Sequence, residues 1–86
     1  MTISFHGNAL KFTNGDRKLE IEQSANLSEL IDALGERYGT LLKEHLLGHE
    51  TCLILVNGKG TQSTGGLSTV LNGDDNVDIL PFVGAG

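Results

Sequence analysis

The chain has 86 residues and carries 11 Asp and Glu against 6 Lys and Arg, a formal net charge of −5. That length makes one domain, and a chain of this size buries only about 60% of the surface its unfolded form exposes, which leaves little apolar lining for a deep substrate pocket. The acidic balance argues against nucleic acid and anionic membrane surfaces, both of which require clustered Lys and Arg, and favours steering toward a basic patch on a protein partner. Cys52 is the single cysteine and cannot form an internal disulfide, which fits a reducing compartment. Met1-Thr2-Ile3-Ser4-Phe5 has no charged segment leading into an apolar run, and no apolar stretch approaches membrane-spanning length. The expectation is a soluble cytoplasmic protein.

Ile3 and Phe5 alternate with Thr2, Ser4 and His6, the period of a half-buried strand. Asn14-Gly15-Asp16 is turn chemistry, and Leu19 and Ile21 then alternate with Lys18, Glu20 and Glu22, so the pair reads as a β-hairpin. The period then changes. Leu27, Leu30, Ile31, Leu34 and Tyr38 fall on one face of an amphipathic helix, with Asn26 as its cap, Glu29 completing a capping-box-like pair and Gly39 as its stop. Glu29, Asp32 and Glu36 lie on its solvated face, and Thr40 to Leu47 form a further short helical piece ending at Gly48.

Thr51-Cys52-Leu53-Ile54-Leu55-Val56 is apolar almost throughout, as in a central strand covered on both faces, and Asn57-Gly58 ends it sharply. Lys59 to Gly66 reads as a loop or a short strand and turn, Gly73-Asp74-Asp75 as a turn and Val77-Asp78-Ile79-Leu80 as the last strand. Pro81 cannot donate to a ladder, so pairing weakens there, and Gly84-Ala85-Gly86 lacks bulk to hold it down. If Ile54, Val56, Val77 and Ile79 face inward, then Leu53, Leu55, Leu80 and Phe82 share the opposite face of the sheet, a docking patch beside the tail. A hairpin, a helix across the sheet and a last strand beside the first bury all the apolar stripes together. That architecture is α+β, a mixed sheet of four to five strands on one main helix, with residues 1–86 as one domain and 82–86 as a flexible tail.

Val56-Asn57-Gly58-Lys59 and the run from Gly66-Leu67 through Gly73-Asp74, Val77, Ile79, Pro81 and Val83 to Gly84-Ala85-Gly86 resemble the hairpin and C-terminal third of the MoaD/ThiS-type sulfur carriers, with the MoaD-like branch (the small subunit of molybdopterin synthase) the nearest. The resemblance implies the β-grasp (ubiquitin-like) fold and a mechanism. A ubiquitin-activating-type enzyme uses ATP and Mg²⁺ to adenylate the carboxylate of Gly86, and a persulfide sulfur replaces AMP to give a thiocarboxylate. Gly84 and Ala85 then thread the partner's channel, and Leu53, Leu55, Leu80, Phe82 and Val83 dock. The implied acceptors are the molybdopterin synthase large subunit and its pterin, or the thiazole of thiamine. Some relatives instead join lysines as modifiers. Family tails usually end Gly-Gly, and this one ends Ala85-Gly86.

The residues agree with this division of labour. An α-carboxyl has a pKa of about 3.5, so at neutral pH it is an ionised, poor electrophile until its oxygen becomes a leaving group. The chain offers no nucleotide site of its own: Gly58-Lys59-Gly60-Thr61 has Leu53 where a phosphate loop needs its first Gly, and Gly60 where it needs Ser or Thr. No cofactor or metal is expected on this chain. Cys52 reads as packing, the spacing of His45, His49 and Cys52 falls short of a zinc set, Asp74-Asp75 reads as a turn, and the sequon at Asn26 as a helix cap. A modifier joined to lysine through Gly86, or an inert interaction module, remains the alternative to a carrier.

Overall fold

The computed structural model describes residues 1–22, 25–48 and 52–81. The alternation at the N-terminus builds β1 (Thr2–Phe5), in which Ile3 and Phe5 are buried and Thr2 and Ser4 are half-buried. It pairs antiparallel with β2 (Lys18–Glu20), Ile3 standing opposite Leu19. The expected hairpin forms, but its connection is longer than a turn. Residues Gly7–Lys11 make a 3-10 helix whose Ala9 is buried, and only after it do Asn14 (φ 56°) and Gly15 (φ 86°) reverse the chain. The Asn14-Gly15 turn signal is thus correct but serves the end of an insertion that packs into the core.

Helix α1 (Leu27–Tyr38) forms where the 3.6-residue period predicts, with Leu27, Leu30, Ile31 and Leu34 buried. Asn26 Oδ1 accepts the Glu29 amide at 2.9 Å, and the Leu27 amide, another donor without a partner inside the helix, finds the Thr69 carbonyl at 3.0 Å. Gly39 (φ 110°) ends α1, and α2 (Thr40–Leu47) follows at once, burying Leu42 and Leu46. Tyr38 closes the helix stripe: its ring meets Phe5 edge-on at 5.7 Å, and its hydroxyl donates to Asp16 Oδ2 at 3.1 Å.

Strand β3 (Cys52–Val56) turns through Asn57 (φ 52°) and Gly58 (φ 84°) into β4 (Lys59–Gly60), both turn residues taking the left-handed geometry that a two-residue hairpin demands. The short strand expected after Val56 is β4, and the rest of the expected loop through Gly66 is helical: a one-turn helix, α3 (Thr61–Thr64), then a 3-10 turn, Gly66–Ser68. Thr64 and Thr69 share a hydroxyl bond at 3.0 Å and Thr69 Oγ1 donates to the Gly66 carbonyl at 2.7 Å, so small polar residues satisfy one another rather than solvent.

Strand β5 (Asn76–Pro81) completes a five-stranded sheet in the order β2-β1-β5-β3-β4, parallel to β1 and antiparallel to β3. Among the described residues the buried apolar side chains form one cluster between one face of this sheet and the helices. The last strand does lie beside the first, as the β-grasp arrangement requires. Strand β3 departs from expectation: it is buried on the helix face only, with Leu53 and Leu55 half-buried on the other. Its unbroken apolar run therefore comes from two different causes, core on one side and an apolar open face on the other.

Candidate functional site

The open face of the sheet follows from the register. Leu53 stands opposite Leu80 and Leu55 opposite Asp78, while Ile54 and Val56 oppose Ile79 and Val77 on the buried side. Leu53, Leu55 and Leu80 are therefore brought together as the sequence predicts, half-buried and in view of solvent. Phe82 and Val83 of the expected docking set, and Gly84, Ala85 and Gly86 of the expected tail, lie outside the described residues.

Two contacts fix where β5 delivers the chain end. On one side Pro81 pairs with Cys52 at the start of β3. On the other its ring lies over Gly7, where an added Cβ would sit 2.8 Å from Pro81 Cγ and 3.0 Å from Cδ. Gly7 also takes φ +60°, a conformation that favours glycine. The His6 amide extends the β1–β5 ladder by donating to the Ile79 carbonyl at 2.9 Å, so the pairing runs up to that contact. Sequence reasoning passed over Gly7. Its one signal was a glycine directly after a strand, in a chain with 12 of them.

The other end of β5 is set by a carboxylate and an amide. Asp75 is buried; it accepts the Asn72 amide at 2.8 Å and the Asn57 side-chain amide at 2.9 Å. Asn57 in turn accepts from the Asn76 amide at 3.0 Å, and its own amide donates to the Asn76 carbonyl at 2.8 Å. The Asn72 amide first, then the Asn57 side chain, hold the Asp75 carboxyl below its ordinary value, against an opposing push from burial. Asp75 is thus spent on holding a turn to a strand, as the turn reading of Asp74-Asp75 expects.

The remaining chemical candidates resolve into packing. Cys52 is buried, with Sγ 3.4 Å from the His45 carbonyl. The His45 ring lies against Phe12 at 4.9 Å, and burial pushes its pKa down. His49, the third member of the metal-like spacing, lies outside the described residues. Among those residues no group of three or more His, Cys, Asp or Glu is placed to hold a metal ion, and no helix is long and apolar enough to cross a membrane. A cleft of about 190 Å³ between α1, the end of α2 and α3 is lined by Leu27, Ile31, Leu46 and Leu67 among others. It is smaller than the roughly 300–1,000 Å³ of ordinary ligand pockets, and its lining among the described residues is mostly apolar.

The fold and site define a ubiquitin-like β-grasp body that presents an apolar sheet face and whose last described strand, β5, is the central strand of the sheet. Residues 3–86 match the ThiS family model, and the chain belongs to that family, whose members are small carrier proteins. Among solved structures it is similar to CysO of Mycobacterium tuberculosis, with 27% identity and a TM-score of 0.84 over 95% of this chain and 98% of that one. It is also similar to CysO in the BexX/CysO complex of Amycolatopsis orientalis, with 27% identity and a TM-score of 0.82 over 99% and 98%. Small archaeal modifier protein 1 of Methanosarcina acetivorans shares the fold at 23% identity, with a TM-score of 0.77 over 99% and 94%. A search of curated protein sequences gives no match.

Proposed function

We propose that this chain is a cytoplasmic sulfur carrier whose Gly86 carboxylate is activated by a partner enzyme of the ubiquitin-activating type. The observation that carries the reading is the span of the family match, which runs through the chain end to residue 86. A carboxylate oxygen of Gly86 attacks the α-phosphorus of an ATP that the partner holds with Mg²⁺, and pyrophosphate leaves. A persulfide sulfur displaces AMP from the acyl carbon, and a thiol cleaves the resulting acyl disulfide to leave the thiocarboxylate. The chain is substrate in every step, and the partner supplies the nucleotide site and the sulfur donor.

Gly84 and Ala85 form the narrow segment that enters the partner's active site, since residues with little or no side chain permit close backbone approach. Leu53, Leu55 and Leu80, with Phe82 and Val83 beyond them, form the docking face. The complex formed by the similar Amycolatopsis orientalis CysO with BexX supports engagement of a partner protein by a body of this shape. The acceptor we propose is the pterin precursor of the molybdenum or tungsten cofactor, bound to the large subunit of its synthase.

Mass spectrometry of the C-terminal peptide tests the reading. Replacement of one carboxyl oxygen of Gly86 by sulfur, seen in cells that retain the activating enzyme, is the expected result. A branched peptide joining Gly86 to a lysine would assign the chain to the modifiers instead. An unaltered carboxylate in the presence of the enzyme, ATP and a persulfide donor would overturn the proposal.

A further inference from the structure

We propose that Asp78 determines which partner docks: it receives a cationic side chain, arginine by preference, from the protein surface that covers Leu53, Leu55 and Leu80. The inference rests on the docking role of that face and specifies the chemistry of what docks there.

Asp78 lies at the middle of β5, the central strand of the sheet, where aspartate is a poor strand former. Its register partners are Leu55 on β3 and Ser4 on β1, and Leu80 follows two residues later on the same face. Directly opposed residues have Cβ atoms about 4.5–5.5 Å apart. Any surface that buries Leu55 and Leu80 therefore also covers the carboxylate between them. A carboxylate stripped of water and left without a partner costs several kcal/mol, so a docking surface that fails to answer Asp78 is rejected.

The chain itself supplies little countercharge. His6 Nε2 lies 3.2 Å from Asp78 Oδ1, but both side chains are well exposed and the imidazole is charged only when protonated. Lys18 faces the same side from β2, but it pairs with Ser4 and so stands two strands from Asp78. Two strand spacings are about 10 Å, and the Lys18 side chain does not close that gap. Neither Lys18 nor any other Lys or Arg makes an ion pair with Asp78 among the described residues. A guanidinium fits the requirement best. Its planar fork takes a carboxylate bidentately, and it is more weakly hydrated than an ammonium, so it suits a carboxylate framed by two leucines. The net charge of −5 favours the same sign of partner.

The test uses the full chain and the adenylating enzyme purified from the same genome, with ATP–pyrophosphate exchange as readout. Asp78→Asn keeps the shape and removes the charge. It is expected to raise KM for the carrier at least fivefold while leaving kcat within twofold, and to flatten the dependence of KM on salt. Asp78→Glu is expected to recover part of the loss, and His6→Gln to leave KM unchanged or lower it by freeing the carboxylate. A change of less than fivefold for Asp78→Asn overturns the inference. So does an equal rise for His6→Gln, because the countercharge would then come from this chain. Failure of the wild-type chain to be adenylated at all refutes the proposed function and, with it, this inference.

Discussion

Gly7 offers the sharpest test of how the end of β5 is held. Gly7→Ala introduces two separate costs. The first is backbone: φ +60° in an L-residue costs roughly 1–2 kcal/mol. The second is steric, because the new Cβ would stand 2.8 Å from Cγ and 3.0 Å from Cδ of Pro81, and a proline ring cannot rotate away. Overpacking of this kind costs about 1–3 kcal/mol. The sum, about 2–5 kcal/mol, is large against the roughly 0.05–0.15 kcal/mol per residue of ordinary domains, which gives about 4–13 kcal/mol for 86 residues. Gly15→Ala is the control: its φ is +86° but nothing lies within 4 Å of the added Cβ, so it carries the backbone cost alone. Urea unfolding of both variants isolates the steric part, and each kcal/mol of difference also lowers the melting temperature by roughly 4–8 °C. The double variant Gly7→Ala/Pro81→Ala should recover much of that difference. Equal stabilities for Gly7→Ala and Gly15→Ala, or strict additivity of the double variant, would refute the claim that Pro81 is seated on Gly7.

Three further outcomes are expected. Asp75 titrates lower in the folded chain than its ordinary 3.8, so its contribution is complete above the unfolded value and disappears as pH falls through the folded one; denaturant titrations between pH 6 and pH 2 should show that slope reduced in Asp75→Asn. Asn57→Ala loses two side-chain hydrogen bonds and places alanine at φ 52°, for a cost of about 2–4 kcal/mol, whereas Asn57→Gly restores the backbone freedom and should cost about half as much in thermal unfolding. Ala85→Val adds bulk to the segment proposed to enter the partner, and in a closely packed channel an added side chain costs about 1–3 kcal/mol; single-turnover adenylation should slow about 5–150-fold.

The parts of the fold legible in the sequence are those where one periodicity met one environment. Leu27, Leu30, Ile31 and Leu34 announce α1, and Val77 and Ile79 announce the buried side of β5. Leu53, Leu55 and Leu80 were placed on the open face because strand alternation, once the inward residues are assigned, leaves them nowhere else. The misreadings share a different cause. Residues Gly7–Lys11 carry a 3-10 helix with one buried residue, Ala9, too short for any period to register. Thr61–Thr64 is helical although Thr and Ser are weak helix formers, because hydroxyl bonds to Thr69 and to the chain's own carbonyls stabilise the turn. Asp78 was legible only as a polar residue at an outward strand position. Its framing by Leu55 and Ser4 is a matter of register between strands far apart in sequence, which no local window contains.

Because β1 and β5 lie side by side at the middle of the sheet, with Ile3 against Val77, the first strand waits for the last before either is enclosed. Such remote pairing slows folding and leaves apolar strand edges uncovered until β5 has been made. A ribosome product broken off before residue 76 has a gap where its middle strand belongs and invites proteolysis. Closure of the sheet is thus one event shared by its two most distant strands: an open edge on β1 and a missing β5 are the same defect.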